Sequence, residues 1–221
     1  MSDATLASSV FVDANDAITF ASSLLTGQGV SAEDSAAIAT CLVQADLRGV
    51  QTHGMSRLPI YVKRVERGLV NALPNMRLHK PMAACASLDG DNGFGFLVGI
   101  RAMREAIEMA KTCGVGVVSA YNSNHFGMAA SYLLQAVTAG YFAFVFTNAA
   151  KSMPPWGGRE GLFGTSPFGA AAPAGKLPPF VLDMSPAVAA RGKIRLAEKR
   201  SESIPEGYAL DENGQSTTDP T

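Results

Sequence analysis

Apolar positions recur at helical spacing in the first third of the chain and in short strand-like runs after it. From Asp13, the residues Ile18, Phe20, Leu24 and Leu25 trace a helix that stops at Gly27 and Gly29. Ser31-Ala-Glu-Asp34 reads as an N-cap with acidic residues in the first turn. A second helix is therefore expected through Ile38, Leu42, Val43 and Leu47 to Arg48. Gly49-Val-Gln-Thr-His-Gly54 breaks the pattern with two glycines. A third helix is expected from Ser56 to Arg67, with Pro59 in its first turn, where proline is tolerated, and Gly68 as its stop. Residues 1–12 are mostly small and are expected to be loose.

Pro74 and Pro81 bracket an extended connection, and Ala83–Leu88 is a weak strand. Gly90–Gly95 reads as a turn. The helix expected from Leu97 to Cys113 carries Ile100, Met103, Ala106, Ile107 and Ala110 on one face. Val115–Ala120 reads as a short buried strand, Ala129–Ala139 as a helix ended by Gly140, and Tyr141–Phe146 as a buried strand. This alternation argues for an α/β domain. Past Thr147-Asn148 the pattern gives way to a long Gly/Pro-rich loop containing Met153–Gly158 and Gly164–Gly169. Such a loop in a compact domain is usually functional. Pro179–Ser185 reads as another strand, Ala187–Ala197 as a helix and 203–214 as turns. Two domains are expected: a helical one over residues 1–75 and an α/β one over 76–221.

Composition narrows the function classes. The chain has 221 residues, 47% hydrophobic and 17% charged, with a net charge of −1. That balance points to no nucleic acid and no membrane surface as partner. No apolar run is long enough to span a bilayer. Met1-Ser-Asp-Ala-Thr5 lacks the basic start and apolar core of a signal peptide. Cys41, Cys85 and Cys113 are scattered and odd in number, which fits reduced thiols in a cytoplasmic protein. Cys113, at the end of a helical run, is expected to be packed.

Of three histidines, His53 and His125 fall in Gly-flanked polar breaks between regular elements. An imidazole there can give and take a proton near neutral pH. The plain alternative for His125 is a helix cap or a bond to a nearby carbonyl. Thr52 adjoins His53 and could orient it. Arg57 and Tyr61 follow His53 by four and eight residues, on one face of the third helix. Arg57 suits a carboxylate, which a guanidinium binds with two parallel bonds; an ordinary surface arginine and a half-buried tyrosine are the alternative. His79 reads as part of a solvated connector. Gly93-Phe-Gly-Phe-Leu-Val-Gly99 invites a Rossmann reading, but the polar segment before it is no strand entering a phosphate loop. No P-loop, serine-hydrolase elbow or metal-ligand cluster stands out.

Several motifs occur together and in order: Asp46-Leu-Arg-Gly-Val-Gln-Thr-His-Gly54, Asn122-Ser-Asn-His-Phe-Gly127, Gly164-Thr-Ser-Pro-Phe168, Leu182-Asp-Met-Ser185, Ala189-Ala-Arg-Gly-Lys193 and Ser203-Ile-Pro-Glu-Gly207. With them the chain resembles the malate/L-lactate dehydrogenase family, whose members include sulfolactate, ureidoglycolate and diketogulonate oxidoreductases and cyclic-imine carboxylate reductases. The resemblance implies a non-Rossmann NAD(P)-binding mixed-sheet domain with a helical N-terminal domain. It implies hydride transfer between NAD or NADP and a 2-hydroxy or 2-oxo acid, or a cyclic imine carboxylate, in a homodimer. By motif, His53 resembles the proton donor, with Thr52 where many members have serine, and His125 resembles the second active-site histidine. Arg57 and Tyr61 resemble substrate-carboxylate contacts. Phe126, Gly127, Met128, Thr147, Asn148, Ser166, Asp183, Met184 and Ser185 resemble cofactor contacts. Family chains continue beyond this length, so truncation at the C-terminus is expected, with a catalytically inactive fragment as the alternative function.

Overall fold

A computed structural model describes residues 11–221, so most of the loose start expected before Asp13 lies outside the described residues. The backbone divides into two compact units. One comprises the described residues up to Met76 with Gly90–Leu97 and Asn122–Gly127; the other comprises Arg77–Asp89, Val98–Tyr121 and Met128–Thr221.

The helical unit begins with α1 (Ala14–Gly27) and α2 (Ala32–Leu47), which pack as a hairpin. Both start where a side chain can satisfy a free helix N–H. Asp13 accepts from Asn15 N at 2.8 Å, and Ser31 Oγ accepts from Asp34 N at 3.1 Å. Their apolar stripes meet in a core that includes Ala21, Leu25, Ile38 and Leu42. The third helix differs from expectation at its start. Two 3-10 turns, Gln51–His53 and Met55–Arg57, come first, and α3 runs over Leu58–Glu66. The cause is Asp46 on α2. Its carboxylate accepts the Met55 N–H at 2.8 Å, and Gly54 packs so closely on it that any Cβ there would collide. The chain is drawn tightly round this carboxylate and enters the α-helix only after it.

The second unit opens with β1 (Arg77–Met82) and β2 (Cys85–Gly93), antiparallel, with Leu78 opposite Leu88. The expected extended connection is thus a strand, and exposed His79 lies on it. β2 also runs through the expected turn at Gly90. The turn residues still mark their place, because Asp91 and Asn92 take left-handed φ of 49° and 54°. Helix α4 (Gly95–Cys113) leads to β3 (Val117–Ser123), which lies beside β2 in the order β1-β2-β3. β3 is an edge strand and, against expectation, mostly exposed. Cys113 is exposed rather than packed, since α4 ends there.

A second sheet has the order β4-β5-β6, all antiparallel: β4 (Ala143–Phe146), β5 (Phe168–Ala172) and β6 (Phe180–Met184). Helix α5 (Ala130–Thr138) packs on this sheet. β5 falls where the sequence suggested loop. Its Gly-Ala-Ala-Ala run has low strand propensity, but a larger residue would not fit under α5. A Cβ on Gly169 would stand 2.7 Å from Leu133 Cδ1 and 2.9 Å from the Leu182 carbonyl oxygen. β4 is only half buried: Phe144 and Phe146 are 56% and 72% exposed. They lie on the face away from α5, in a row of rings running Phe142, Phe144, Phe146, Phe168. Helix α6 (Arg191–Arg200) starts later than expected, after Ala190, and β7 (Ala209–Leu210) pairs with β8 (Ser216–Thr217) in the turn-rich end.

Candidate active site

The helical unit gathers the two histidines. His53 ends the first 3-10 turn, and His125 lies in the loop that follows β3. Their rings stack at 5.5 Å between centroids, 18° from parallel. Thr52 Oγ1 is 3.0 Å from His53 Nδ1, so the adjacency seen in sequence is a real contact. Arg57 turns back along the chain and donates from Nε to the Thr52 carbonyl at 2.8 Å. One helical turn on, Tyr61 is 4% exposed and wedged edge-on against Phe94 and Phe96. Its hydroxyl is 2.7 Å from His125 Nδ1. The Gly127 N–H also points at that nitrogen, at 3.3 Å.

These contacts assign the proton on His125. A backbone N–H can only donate, so Nδ1 must present its lone pair. The Tyr61 hydroxyl then donates to the same nitrogen, and the ring proton resides on Nε2. His125 therefore does not cap the following helix through this nitrogen. Nε2 has no hydrogen-bond partner among the described residues, and the residue is exposed, so this edge is open to a ligand. The pKa of His125 is lowered from its ordinary 6.5 to about 4, first by enclosure of the ring and then by His53, Arg57 and Arg64. Solvent at the open edge moderates the shift, and its direction leaves the imidazole neutral at pH 7. Burial pushes the Tyr61 hydroxyl well above its usual range, which keeps it a donor.

Two glycines let the loop approach, and a third lets Pro74 pack on the end of β2. A Cβ on Gly95 would collide with the carbonyls of Asn124 and His125. A Cβ on Gly127, which has φ of 73°, would collide with the Phe96 ring, and one on Gly93 would stand 2.7 Å from Pro74 Cγ. The Gly93-x-Gly95 pattern thus serves backbone packing rather than a dinucleotide phosphate.

Sequence reasoning missed Asp46, Arg64 and Asn124. Arg64 could have been found by spacing, since Arg57, Tyr61 and Arg64 share a helix face at i, i+4 and i+7. Among the described residues no carboxylate pairs with Arg57 or Arg64. The half-buried Arg57 guanidinium, without an anion and beside two imidazoles, forms a site suited to an anionic ligand. An open groove lined by Phe20, Leu24, Leu58, Pro59 and Val62 also lies on this unit, but it contains none of these polar groups.

The expected cofactor residues divide between the units. Phe126 and Gly127 belong with the histidines; Met128 and the others belong to the sheet unit. There Thr147, Asn148, Ser166, Asp183, Met184 and Ser185 gather at one end of the sheet, where Phe146, Phe168 and Met184 lie side by side. Thr147 N donates to the Pro167 carbonyl at 3.2 Å, and Ser185 Oγ donates to the Thr165 carbonyl at 3.2 Å. Ser166 takes a left-handed φ of 38°. Asp183 Oδ2 accepts from Ala130 N at 2.8 Å and so caps α5, whose own N-cap, Ala129, supplies no side chain. Met128 is buried. The exposed Asn148 amide, Ser166 hydroxyl and Met184 thioether offer polar and apolar contacts of the kind a nucleotide needs. The donor set fits such a group.

Known proteins resemble this chain over most of its length. The chain is 39% identical to a malate dehydrogenase of Pyrococcus abyssi over 208 residues, covering 94% of this chain and 57% of the relative. It is 42% identical to an L-sulfolactate dehydrogenase of Methanocaldococcus jannaschii over 192 residues, covering 87% of this chain and 56% of the relative. The solved structure of the sulfolactate dehydrogenase from Methanocaldococcus jannaschii superposes with a TM-score of 0.87 at 39% identity, covering 96% of this chain and 61% of that one. The chain thus spans less than two thirds of the length of these proteins. The fold is the mixed α/β fold of such dehydrogenases, and residues 12–221 match the family model for malate/L-lactate dehydrogenase. This chain belongs to the malate/L-lactate dehydrogenase family.

Proposed function

We propose that this chain carries the acid-handling site of an NAD(P)-dependent oxidoreductase that interconverts a 2-hydroxy acid and a 2-oxo acid, or reduces a cyclic imine carboxylate. The observation that carries the reading is the stacked His53–His125 pair, pinned by Tyr61 beside a guanidinium without a carboxylate partner. Family membership and the relatives' names support it.

The two imidazoles divide the work. His125, neutral and protonated on Nε2, donates a hydrogen bond to the substrate's carbonyl or hydroxyl oxygen. Its lowered pKa makes it a poor proton carrier, so the proton exchange belongs to His53, with Thr52 Oγ1 holding that ring. Arg57 binds the carboxylate and orients the reacting carbon, which is a large share of such catalysis. In this reading Phe126, Gly127, Met128, Thr147, Asn148, Ser166 and Asp183–Ser185 hold the cofactor. NAD or NADP, when bound, supplies or accepts the hydride. A cytoplasmic homodimer completes the proposal. The cysteines Cys41, Cys85 and Cys113, none of them in a disulfide among the described residues, fit a reducing compartment, and the dimer rests on family resemblance. No described helix is long and apolar enough to cross a membrane.

Titration of NADH and NADPH into the chain, followed by a screen of 2-oxo acids and cyclic imine acids, tests the reading. Saturable binding and turnover are expected, and His53→Ala or His125→Ala should each lower turnover about 100-fold or more. Near-normal turnover in either variant removes that histidine from the mechanism. Absence of binding by either nucleotide favours the inactive-fragment alternative.

A further inference from the structure

The histidine loop hangs on Asn124. Its side-chain carbonyl accepts from Arg64 Nη2 at 2.8 Å. Its amide nitrogen faces three acceptors: the Asn92 carbonyl at 3.0 Å, Asn92 Oδ1 at 2.9 Å and the Gly93 carbonyl at 3.0 Å. This orientation is the only one that satisfies both sides, since a guanidinium only donates and carbonyls only accept. One side chain therefore ties α3 to the end of β2, immediately before His125. That end of β2 is itself fixed. Asn71 N donates to the Asn92 carbonyl at 2.9 Å, and Asp91 Oδ2 accepts from Asn71 Nδ2 at 3.0 Å and Asn75 N at 2.8 Å. Tyr61 and Arg64, neighbours on one helix face, thus grip successive loop residues. The charge-assisted bond from Arg64 is stronger than a neutral one, and no described carboxylate competes for it.

We propose that Arg64 is a positioning residue. Through Asn124 it sets the loop so that the Tyr61 hydroxyl and the Gly127 N–H both meet His125 Nδ1, which holds the proton on Nε2. The kinetic consequence rests on the function proposed above; the structural consequence does not.

Nitrogen NMR of the labelled imidazoles in the 221-residue chain is the test. Three histidines give three pairs of ring-nitrogen signals, and exposed His79 on β1 is the internal control. The unaltered chain should show His125 held as the Nε2–H form. In Arg64→Gln and Asn124→Ala its two nitrogens should drift towards averaged values while His79 stays put, and Arg64→Lys should keep most of the original pattern. An unchanged His125 signal in Arg64→Gln, at unchanged circular dichroism, overturns the proposal; should that variant not fold, the same comparison on Arg64→Lys and Asn124→Ala decides. With an acid that is turned over, Arg64→Gln should lower kcat about 10- to 100-fold and leave KM within about twofold. A raised KM with kcat kept would make Arg64 a substrate contact and overturn the positioning role. If the unaltered chain turns over no acid, the function reading fails, and the imidazole signature still decides Arg64.

Discussion

A neutral imidazole donates from one nitrogen only, so the group at the other nitrogen selects what the ring can offer a ligand. At His125 that choice belongs to Tyr61 and Gly127. Its lowered pKa has a sign that stability can report. Between pH 6.5 and about 4 the unfolded chain binds a proton at His125 that the folded chain refuses. The stabilisation is complete above 6.5 and is lost as pH falls towards 4. Because the residue is exposed, solvent screens the effect, which should be of the order of 1 kcal/mol. Urea midpoints of the unaltered chain should therefore fall further between pH 7 and pH 4.5 than those of His125→Asn; parallel curves would contradict the assignment. At this scale the sequence was partly readable. The spacing of Arg57 and Tyr61 pointed to one helix face, and the same spacing reaches Arg64. Asn124 was not readable as a clamp, because its partners lie more than thirty residues away in the chain.

Elements with local signals matched expectation, and elements shaped by a distant neighbour did not. Asp13 and Ser31 mark the starts of α1 and α2 because a cap acts within three residues. The late start of α3 depends on Asp46, nine residues before Met55, and β5 depends on the space left by α5. Glycine carries much of this tertiary information while leaving no periodicity to read. Gly95→Ala makes the point measurable. The added methyl must displace the Asn124–His125 backbone, so the variant should lose roughly 1–3 kcal/mol of stability by urea denaturation. Retained stability would mean that the loop relaxes at little cost.

For the whole molecule, the packing that groups 90–97 and 122–127 with the helices is long-range and has no counterpart in local pattern. The same holds for the outer face of the β4-β5-β6 sheet. A period-2 run of phenylalanines reads as buried, yet Phe142, Phe144 and Phe146 are each more than half exposed. Faces this apolar attract hydrophobic probes. The chain should enhance the fluorescence of an anilinonaphthalene dye, and Phe144→Ser should weaken the signal; an equal signal from both would place dye binding elsewhere. The cap on α5 carries a consequence for synthesis. α1 and α2 can close their first turns while their own segments leave the ribosome. α5 cannot, because the carboxylate that takes its first N–H arrives fifty-three residues later. This helix emerges unfinished and is completed only when the last strand of its sheet has been made.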